Sequence, residues 1–355
     1  MTPWILWMLW ALPWNVRGSL AVYGVATQYK IPVSFWPTVK TEVFSAQFLW
    51  SRLAFTWEPQ WNSIFSAQLS VEAQPMVGDS WSLRYFETSY DESRMHGGDT
   101  LWTDTYWGTR LMLYRASLQG NFARMRVRVG RILLTQGLTY MYSPLDFYGP
   151  RQRLALDPEF LPGMDALEVT AYPTEDLRIR WVWPADYEDL PSSVSFRFWV
   201  GEWEAVLLGT REGVGAAGSH PLWQGILRAE GYRKHGKLYG SLNYDRFFPG
   251  DIYVLVELFW PPKGTVSGFT PIQAKETPFA AILFQKTWNP LWTTSLLWVE
   301  ALKDRSFLVV PSLQYAIANS ATLEFRADLA WGEAGDLFDP DWFRPLFLLA
   351  WKVFF

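Results

Sequence analysis

The feature that most constrains this chain is an alternation of apolar and polar residues that recurs along most of its length. Residues 176–184 place Arg178 and Arg180 on one side of an extended segment and apolar residues on the other, because successive side chains of a β-strand point to opposite faces. Residues 321–331 repeat the pattern with different charged residues. The alternation predicts an all-β protein of antiparallel strands, each with one wet face and one apolar face.

Turn-forming residues divide the chain into about eighteen such segments, with sixteen as the alternative count. An even number of strands is typical of a transmembrane antiparallel β-barrel made from one bacterial chain. The predicted strands lie near 46–57, 62–73, 79–90, 106–118, 121–133, 165–173, 176–184, 193–200, 203–211, 212–218, 223–232, 236–246, 251–261, 278–288, 291–302, 306–316, 321–332 and 345–355.

The connections between these strands sort by length when they are counted back from the C-terminus. Tight connections at 120–121, 174–175, 201–202, 289–290 and 319–320 fall at one end of the barrel, whereas long connections at 91–105, 134–164, 184–192, 262–277 and 333–344 fall at the other. Bacterial barrels have short periplasmic turns and longer extracellular loops. Two features oppose the assignment: the Gly-rich segment 212–218 and Pro311, since proline removes a ladder hydrogen bond from a strand.

Composition favours a membrane barrel over the alternative, a soluble β-sandwich. Aromatic residues make up 18% of the 355 residues, including 23 tryptophans, while mean hydropathy is only −0.04. No run of about 20 apolar residues could form a transmembrane helix. A barrel spreads its apolar residues over alternate positions and keeps Trp and Tyr at the water interfaces. The net charge of −4 argues against nucleic-acid binding.

The last segment, 345–355, carries aromatic and aliphatic residues at period two and ends on an aromatic residue. This pattern resembles the closing strand of bacterial outer-membrane β-barrels. The resemblance implies that Phe355, with Trp351, is the assembly signal read by the barrel-assembly machinery. It also implies periplasmic termini, contact with outer-membrane lipid and location in the bacterial outer membrane.

The N-terminal segment is predicted to be a signal peptide, residues 1–21, with small residues at 19–21 where a signal peptidase cleaves. Its n-region lacks Lys and Arg, and the alternative is a buried N-terminal helix. A Pro-containing lead, 22–45, would follow, and the barrel would occupy 46–355. The chain has no cysteine and therefore no disulfide framework.

Charged residues are predicted to divide the lumen into two walls. Arg124, Arg126 and Arg128 recur at period two, which spaces guanidinium groups on one strand face by about 6.6 to 6.8 Å. These walls would orient and conduct anionic solutes; the alternative is that the arginines only pair with neighbours such as Glu168. The basic wall comprises Arg124, Arg126, Arg128, Arg178, Arg180 and Arg197, and the acidic wall comprises Glu257, Glu324 and Asp328.

A long loop with Gly130-Arg131, Ser143-Pro144-Leu145-Asp146 and Gly163 follows the arginine segment. Its spacing is similar to a signature of porin-like outer-membrane barrels, although Ile132-Leu133-Leu134 departs from the Lys- or Gln-rich forms. Folded inward, the loop would form a constriction; folded outward, it would cap the barrel, and the sequence leaves both open. The predicted constriction residues are Tyr140, Tyr142, Asp146 and Tyr148.

Enzymatic and metal-dependent functions find little support in the sequence. The three histidines, His96, His220 and His235, are far apart, and no metal-ligand spacing, phosphate loop or nucleophile elbow is present. We therefore expect no reaction, cofactor or metal, and a channel for passive diffusion of small polar or anionic solutes. The alternatives are a transporter of hydrophobic substrates, with residues 22–45 as a lumen plug, and an outer-membrane hydrolase with its site at the rim. The sequence leaves a homotrimer open.

Overall fold

The computed structural model describes most of the chain and every predicted site residue. It gives no account of the N-terminal fifteen residues, the predicted strand 79–90 or the second half of the long loop after residue 148. The described residues are 16–35, 38–78, 100–103, 107–148, 163–185, 190–261, 277–333, 336, 338 and 345–355.

The described residues form one antiparallel sheet of nineteen strands. Among them, no helix is long and apolar enough to cross a membrane. The strands are β1 (Val16–Phe35), β2 (Thr38–Trp57), β3 (Phe65–Gly78), β4 (Thr100–Thr103), β5 (Trp107–Phe122), β6 (Met125–Ile132), β7 (Met164–Thr174), β8 (Leu177–Pro184), β9 (Ser193–Val200), β10 (Trp203–Thr210), β11 (Gly213–Leu222), β12 (Gly225–Lys234), β13 (Lys237–Phe248), β14 (Ile252–Trp260), β15 (Phe279–Asn289), β16 (Trp292–Ala301), β17 (Phe307–Ala318), β18 (Ala321–Trp331) and β19 (Leu346–Phe354).

The sheet closes on itself because β1 pairs with both β2 and β19. Eighteen strands form the closed wall, while the four-residue β4 pairs with β5 beyond the end of β6. Closure gives every strand of the wall a hydrogen-bonded neighbour on each side, which is the condition for strands to span a membrane. The predicted fold class, an all-β antiparallel barrel of about eighteen strands, is confirmed.

Most connections sort to two ends of the barrel as predicted; the exceptions are 58–64 at the end with the chain termini and the two-residue connections 211–212 and 235–236 at the other end. Seven connections at the end that holds both chain termini contain two or three residues each, and the long connections 133–163, 261–278 and 332–345 lie at the opposite end. The tight turn predicted at 120–121 is instead at 123–124. The doubtful Gly-rich segment is a strand, β11, and pairs along its length with β12.

The proline inside β17 has the predicted effect on one neighbour. Pro311 lies opposite Leu296 of β16. On the other side, pairing with β18 runs as far as Val309 and resumes at Ser312 with the same register. The ladder is interrupted where the proline has no N–H to donate.

Side chains alternate between an exposed outer face and an inner face. On β19, Leu349 and Trp351 are 53% and 43% exposed, whereas Leu348 and Ala350 are buried. The outer face carries large apolar residues all around the barrel. This is the distribution expected of a barrel whose exterior lies in lipid, where exposed apolar surface has no cost.

The predicted start of the barrel at residue 46 needs correction. Residues 16–35 form β1, and β2 begins at Thr38. The lead 22–45 therefore lies in the wall, apart from residues 36 and 37, which are outside the described residues, and does not form a lumen plug. The buried residues Ala21, Tyr23 and Val25 of β1 are uncharged, so this part of the strand shows no polar alternation in the sequence.

The end of the predicted signal peptide also lies in the wall. Gly18 and Phe355 exchange two backbone hydrogen bonds, with N···O distances of 2.7 and 2.9 Å. The Phe355 ring lies over the Gly18 Cα, so a side chain at residue 18 would require the ring to move. Whether a signal peptidase cleaves after Ala21 stays a prediction, since the described contacts concern the folded chain alone.

Candidate functional site

The first half of the long loop, residues 133–148, folds into the barrel. It leaves β6 at the end opposite the chain termini and reaches Glu230 and Glu257. Each of these is the sixth residue of its strand, at mid-height of the wall. Of the two loop directions that the sequence left open, the described half takes the inward one.

Three carboxylates hold this loop through seven consecutive backbone N–H groups. Residues 136 and 137 donate to Asp146 within the loop. Residues 138 and 139 donate to Glu230, and residues 140–142 donate to Glu257 at 2.7 to 3.1 Å. Successive N–H groups that point to one side form an anion-binding concavity, which here is filled by one carboxylate of the loop and two of the barrel wall.

Further polar groups complete the hydrogen bonding of the two wall carboxylates, Glu230 and Glu257. The Ser143 hydroxyl donates to Glu230 at 2.5 Å, and the Asn243 amide on β13 lies 3.3 Å from Glu257. Both carboxylates are almost fully buried. A buried carboxylate is tolerated when its oxygens accept enough hydrogen bonds, so the loop and the two glutamates stabilise each other.

The apolar side chains of the loop cover apolar parts of the inner wall. Tyr142 packs against Phe259 and Phe279, with ring centroids 5.8 and 4.6 Å apart. Burial, with a smaller contribution from Glu257, raises the pKa of the Tyr142 phenol. Leu145 lies over Gly215 of β11, where an added Cβ would meet its Cδ2 at 2.5 Å. The lumen therefore has an apolar sector, which the sequence did not predict.

On the opposite side of the loop, three guanidinium groups converge on one carboxylate. Glu168 of β7 accepts from Arg126 at 3.4 Å, from Arg180 at 3.1 Å and from Arg128. Glu168 is 1% exposed, and Thr170 adds a hydroxyl donor at 2.9 Å. One negative charge thus offsets three positive ones, so the pairing with Glu168 is real but incomplete.

Arginines on β8 and β9 also hold the loop through its carbonyl groups. Arg180 donates to the carbonyl oxygen of Thr135 at 2.7 Å, and Arg197 donates to that of Gln136 at 3.3 Å. Arg197 also pairs with Glu204 at 3.2 Å. The loop is held between carboxylates that accept its N–H groups and arginines that donate to its carbonyls.

A cavity of about 470 Å³ lies between the loop and the arginines. Its lining contains six arginines and no carboxylate residue among the described residues. It is bordered by Gln68, Arg115, Arg126, Arg128, Leu133, Thr135, Gln136, Gly137, Arg178, Arg180, Ser195, Arg197 and Val206.

The structure brings five of the six predicted basic residues together and separates the sixth. Arg124 is in the β5–β6 turn, is exposed and donates to the carbonyl of Pro173 at 3.3 Å. It does not line the cavity. Arg178 does, and its guanidinium lies 5.5 Å from the ring centroids of Tyr172 and Trp199.

The predicted acidic residues do not form one free surface in the described part of the lumen. Glu257 is covered by the loop. Glu324 pairs with Lys352 at 3.3 Å, and Asp328 pairs with Arg326 at 2.7 Å. Each of these carboxylates therefore interacts with its own neighbouring partner.

The four predicted constriction residues are in the inward half of the loop, with different contacts. Tyr140 lies beside the apolar sector, where Tyr142 is buried, and Asp146 accepts the loop N–H groups. The Tyr148 hydroxyl donates to the carbonyl of Pro191 at 2.7 Å and lies 2.9 Å from the Ser193 hydroxyl. A narrowing function for these residues stays a prediction.

Sequence reasoning missed two residues of the site. Arg115 lines the cavity from β5, where it stands in alternation with inward polar Ser117 and Gln119. Glu230 stands between inward Arg228 and Tyr232 on β12. The period-two alternation indicates that Arg115 and Glu230 face the lumen. The neighbouring sequence does not indicate which residues they contact. In the described part of the chain, no group of three His, Asp or Glu residues is arranged to hold a metal ion.

Comparisons with known proteins agree on the architecture. No protein-family model matches the chain, and no curated protein sequence matches it. Solved structures do: a BenF-like porin from Pseudomonas fluorescens Pf-5 has a TM-score of 0.60 at 8% identity, covering 96% of this chain and 98% of that one. Pseudomonas aeruginosa OccK9 (OpdG) gives 0.58 at 11% with the same coverage, and Acinetobacter baumannii OccAB4 gives 0.56 at 7%, with 96% and 98% covered. At these identities the similarity is one of fold.

Proposed function

We propose that this chain is an outer-membrane channel through which small polar or anionic solutes diffuse passively. The outer face supports a membrane location, since large apolar side chains such as Leu349 and Trp351 are exposed on it. The aromatic C-terminus, which resembles that of bacterial outer-membrane barrels, supports assembly in that membrane. The shared fold with a structure described as a porin agrees with this assignment.

The observation that carries the proposal is the arginine-lined cavity beside the inward loop. Six guanidinium groups border one cavity of about 470 Å³, while the ion pairs of Glu168 and Glu204 compensate only part of their charge. A cleft lined by charges of one sign, with low-dielectric walls, concentrates ions of the other sign. An anion that enters the lumen would therefore meet an attractive field, although the whole chain carries −4.

The proposal is tested by reconstituting the purified protein in a planar lipid bilayer. The parent should conduct, and its reversal potential in a salt gradient should show a preference for anions. Replacing Arg115 and Arg178 by glutamine should reduce that preference, most clearly at low salt, where the Debye length exceeds about 10 Å. Both arginines contact aromatic rings, and neither forms an ion pair with a carboxylate among the described residues, so their removal leaves no described carboxylate without its partner.

Arg124→Gln is the matched control, because it removes the same charge from the exposed turn outside the cavity. It should leave the reversal potential close to that of the parent. A protein that never conducts would contradict the channel, and equal reversal potentials for parent and the double variant would contradict the anion preference.

A further inference from the structure

Residues 136–142 and the three carboxylates Asp146, Glu230 and Glu257 form a unit that we call the carboxylate latch. In this unit, the seven successive backbone N–H groups of residues 136–142 donate hydrogen bonds to the three carboxylates. The two wall glutamates are 87 to 117 residues from their loop partners in the sequence. The latch is thus a tertiary connection between the loop and the middle of β12 and β14.

The chemistry of the latch makes the loop position depend on the two wall glutamates. An ionised carboxylate is an acceptor only, with about four lone-pair sites, and the two glutamates use their sites on loop N–H groups, Ser143 and Asn243. Hydrogen bonds to charged groups are stronger than neutral ones. In a wet lumen, water could also satisfy both partners, so a docked and a released loop are alternative states whose balance the carboxylates determine.

We propose that Glu230 and Glu257 are positioning residues that set the width of the channel by holding the loop against the β12–β14 side of the wall. This inference rests on the proposed channel function. Docked, the backbone of residues 135–137 borders the arginine cavity and limits the open cross-section. Released, the same residues leave the wall, and the passage changes both its width and its border.

The test uses the double variant Glu230→Gln/Glu257→Gln. Glutamine keeps the size of the side chain but puts an amide donor where the loop also presents donors. The lost charge-assisted hydrogen bonds should shift the ratio of docked to released loop by about tenfold or more. We expect a single-channel conductance that differs from that of the parent, with larger fluctuations of the open level.

The matched control is Glu175→Gln/Glu202→Gln. It makes the same two substitutions at exposed positions in the turns 175–176 and 201–202, at the end of the barrel that holds the chain termini. Its conductance level should stay near that of the parent. The proposal is overturned if the latch variant conducts like the parent, or if the control variant changes conductance as much as the latch variant.

A second measurement reports the loop position without any current. The chain has no cysteine, so L145C and G215C introduce the only two thiols, at positions where the Leu145 side chain lies over the Gly215 Cα. With mild oxidant in detergent, the pair should form a disulfide readily in the otherwise unchanged chain and more slowly in the latch variant. Once formed, the disulfide should return the latch variant to the conductance of the parent, and reductant should reverse this.

The two readouts separate the failure of this inference from the failure of the channel proposal. If the parent does not conduct but cross-links faster than the latch variant, the channel proposal is refuted. The inference that Glu230 and Glu257 position the loop would still hold. Equal cross-linking rates in both backgrounds would refute the latch, whatever the protein conducts.

Discussion

At the scale of single residues, Glu168 partly neutralises the arginine wall, because three guanidinium groups share its one carboxylate. Removing one member of a buried ion pair typically costs about 3 to 5 kcal/mol, since the remaining charge is left uncompensated. Here the remaining charges are arginines that are 13% to 32% exposed, so water offsets part of that cost.

Glu168→Gln should therefore yield a folded barrel with a more positive cavity. The variant raises the charge of the arginine wall by one unit, and we expect the reversal potential in a salt gradient to move further toward anion preference than in the parent. The shift should shrink at high salt because exposed charges are screened. A shift toward cations would show that Glu168 does not act through its charge.

A second prediction at this scale concerns Gly215, which leaves room for Leu145 of the loop. Gly215→Ala places a Cβ 2.5 Å from the Leu145 Cδ2, and such overpacking typically costs about 1 to 3 kcal/mol. We expect faster proteolysis of the loop.

Gly218→Ala is the matched control on the same strand, because the nearest atom to its added Cβ is the carbonyl oxygen of Glu204 at 3.8 Å. It should behave like the parent. If Gly215→Ala leaves the loop as resistant to protease as Gly218→Ala does, Leu145 is not held in this position.

At the scale of elements, the strands were predictable and the loop contacts were not. Alternation with period two is a local property, so segments such as β8 and β18 could be identified from the sequence alone. The docking of residues 138–142 depends on carboxylates about a hundred positions further along the chain. No local pattern links these partners, which is why both loop directions stayed open.

The strand β1 was missed for a different physical reason. Its inward residues Tyr23 and Val25 are apolar and buried, so both faces of the strand are free of charge where it pairs with β19. Small residues at 19–21 and the apolar segment before them favoured a signal peptide. A strand without polar alternation carries no signal that distinguishes it from such a segment.

This strand leads to a prediction about the mature chain. Cleavage after Ala21 would leave residues 352–355 of the last strand without the partners they have in the closed barrel, and unpaired backbone groups in lipid cost several kcal/mol each. We therefore expect the intact mass of the membrane-inserted protein to include residues 16–21. A mature chain that begins at Val22 would contradict this expectation.

A substitution tests the same strand independently. Gly18→Leu should lower the temperature at which the barrel unfolds on a semi-native gel, because the Phe355 ring occupies the space of the new side chain. Gly24→Leu is the control, since the nearest atom to its added Cβ is the carbonyl oxygen of Leu349 at 3.9 Å. Equal unfolding temperatures would indicate that residue 18 is not part of the wall.

For the whole molecule, closure and surface chemistry act together. The eighteen-stranded wall satisfies its backbone groups internally, and the outer face exposes residues such as Phe347, Leu349 and Trp351. In water this surface would be an aggregation hazard, whereas in lipid it is the stable arrangement. The molecule as a whole is thus specified for a bilayer, while its lumen carries the charge pattern.

The final prediction concerns assembly of the closed barrel and depends on its last residue. Phe355 completes the pairing of β19 with β1 through its two hydrogen bonds to Gly18. Its ring packs edge-on against Phe55 of β2, with 6.1 Å between the ring centroids. Deleting Phe355 should leave the chain uninserted in the periplasm, where it is degraded. Phe355→Tyr keeps the aromatic ring and should insert, as should Lys352→Ala, which removes the partly exposed pair with Glu324 and the contact with the Tyr23 ring. The measurement is the amount of heat-modifiable protein in the outer-membrane fraction. Normal insertion of the deletion variant would show that the terminal aromatic is neither an assembly signal nor needed to close the barrel.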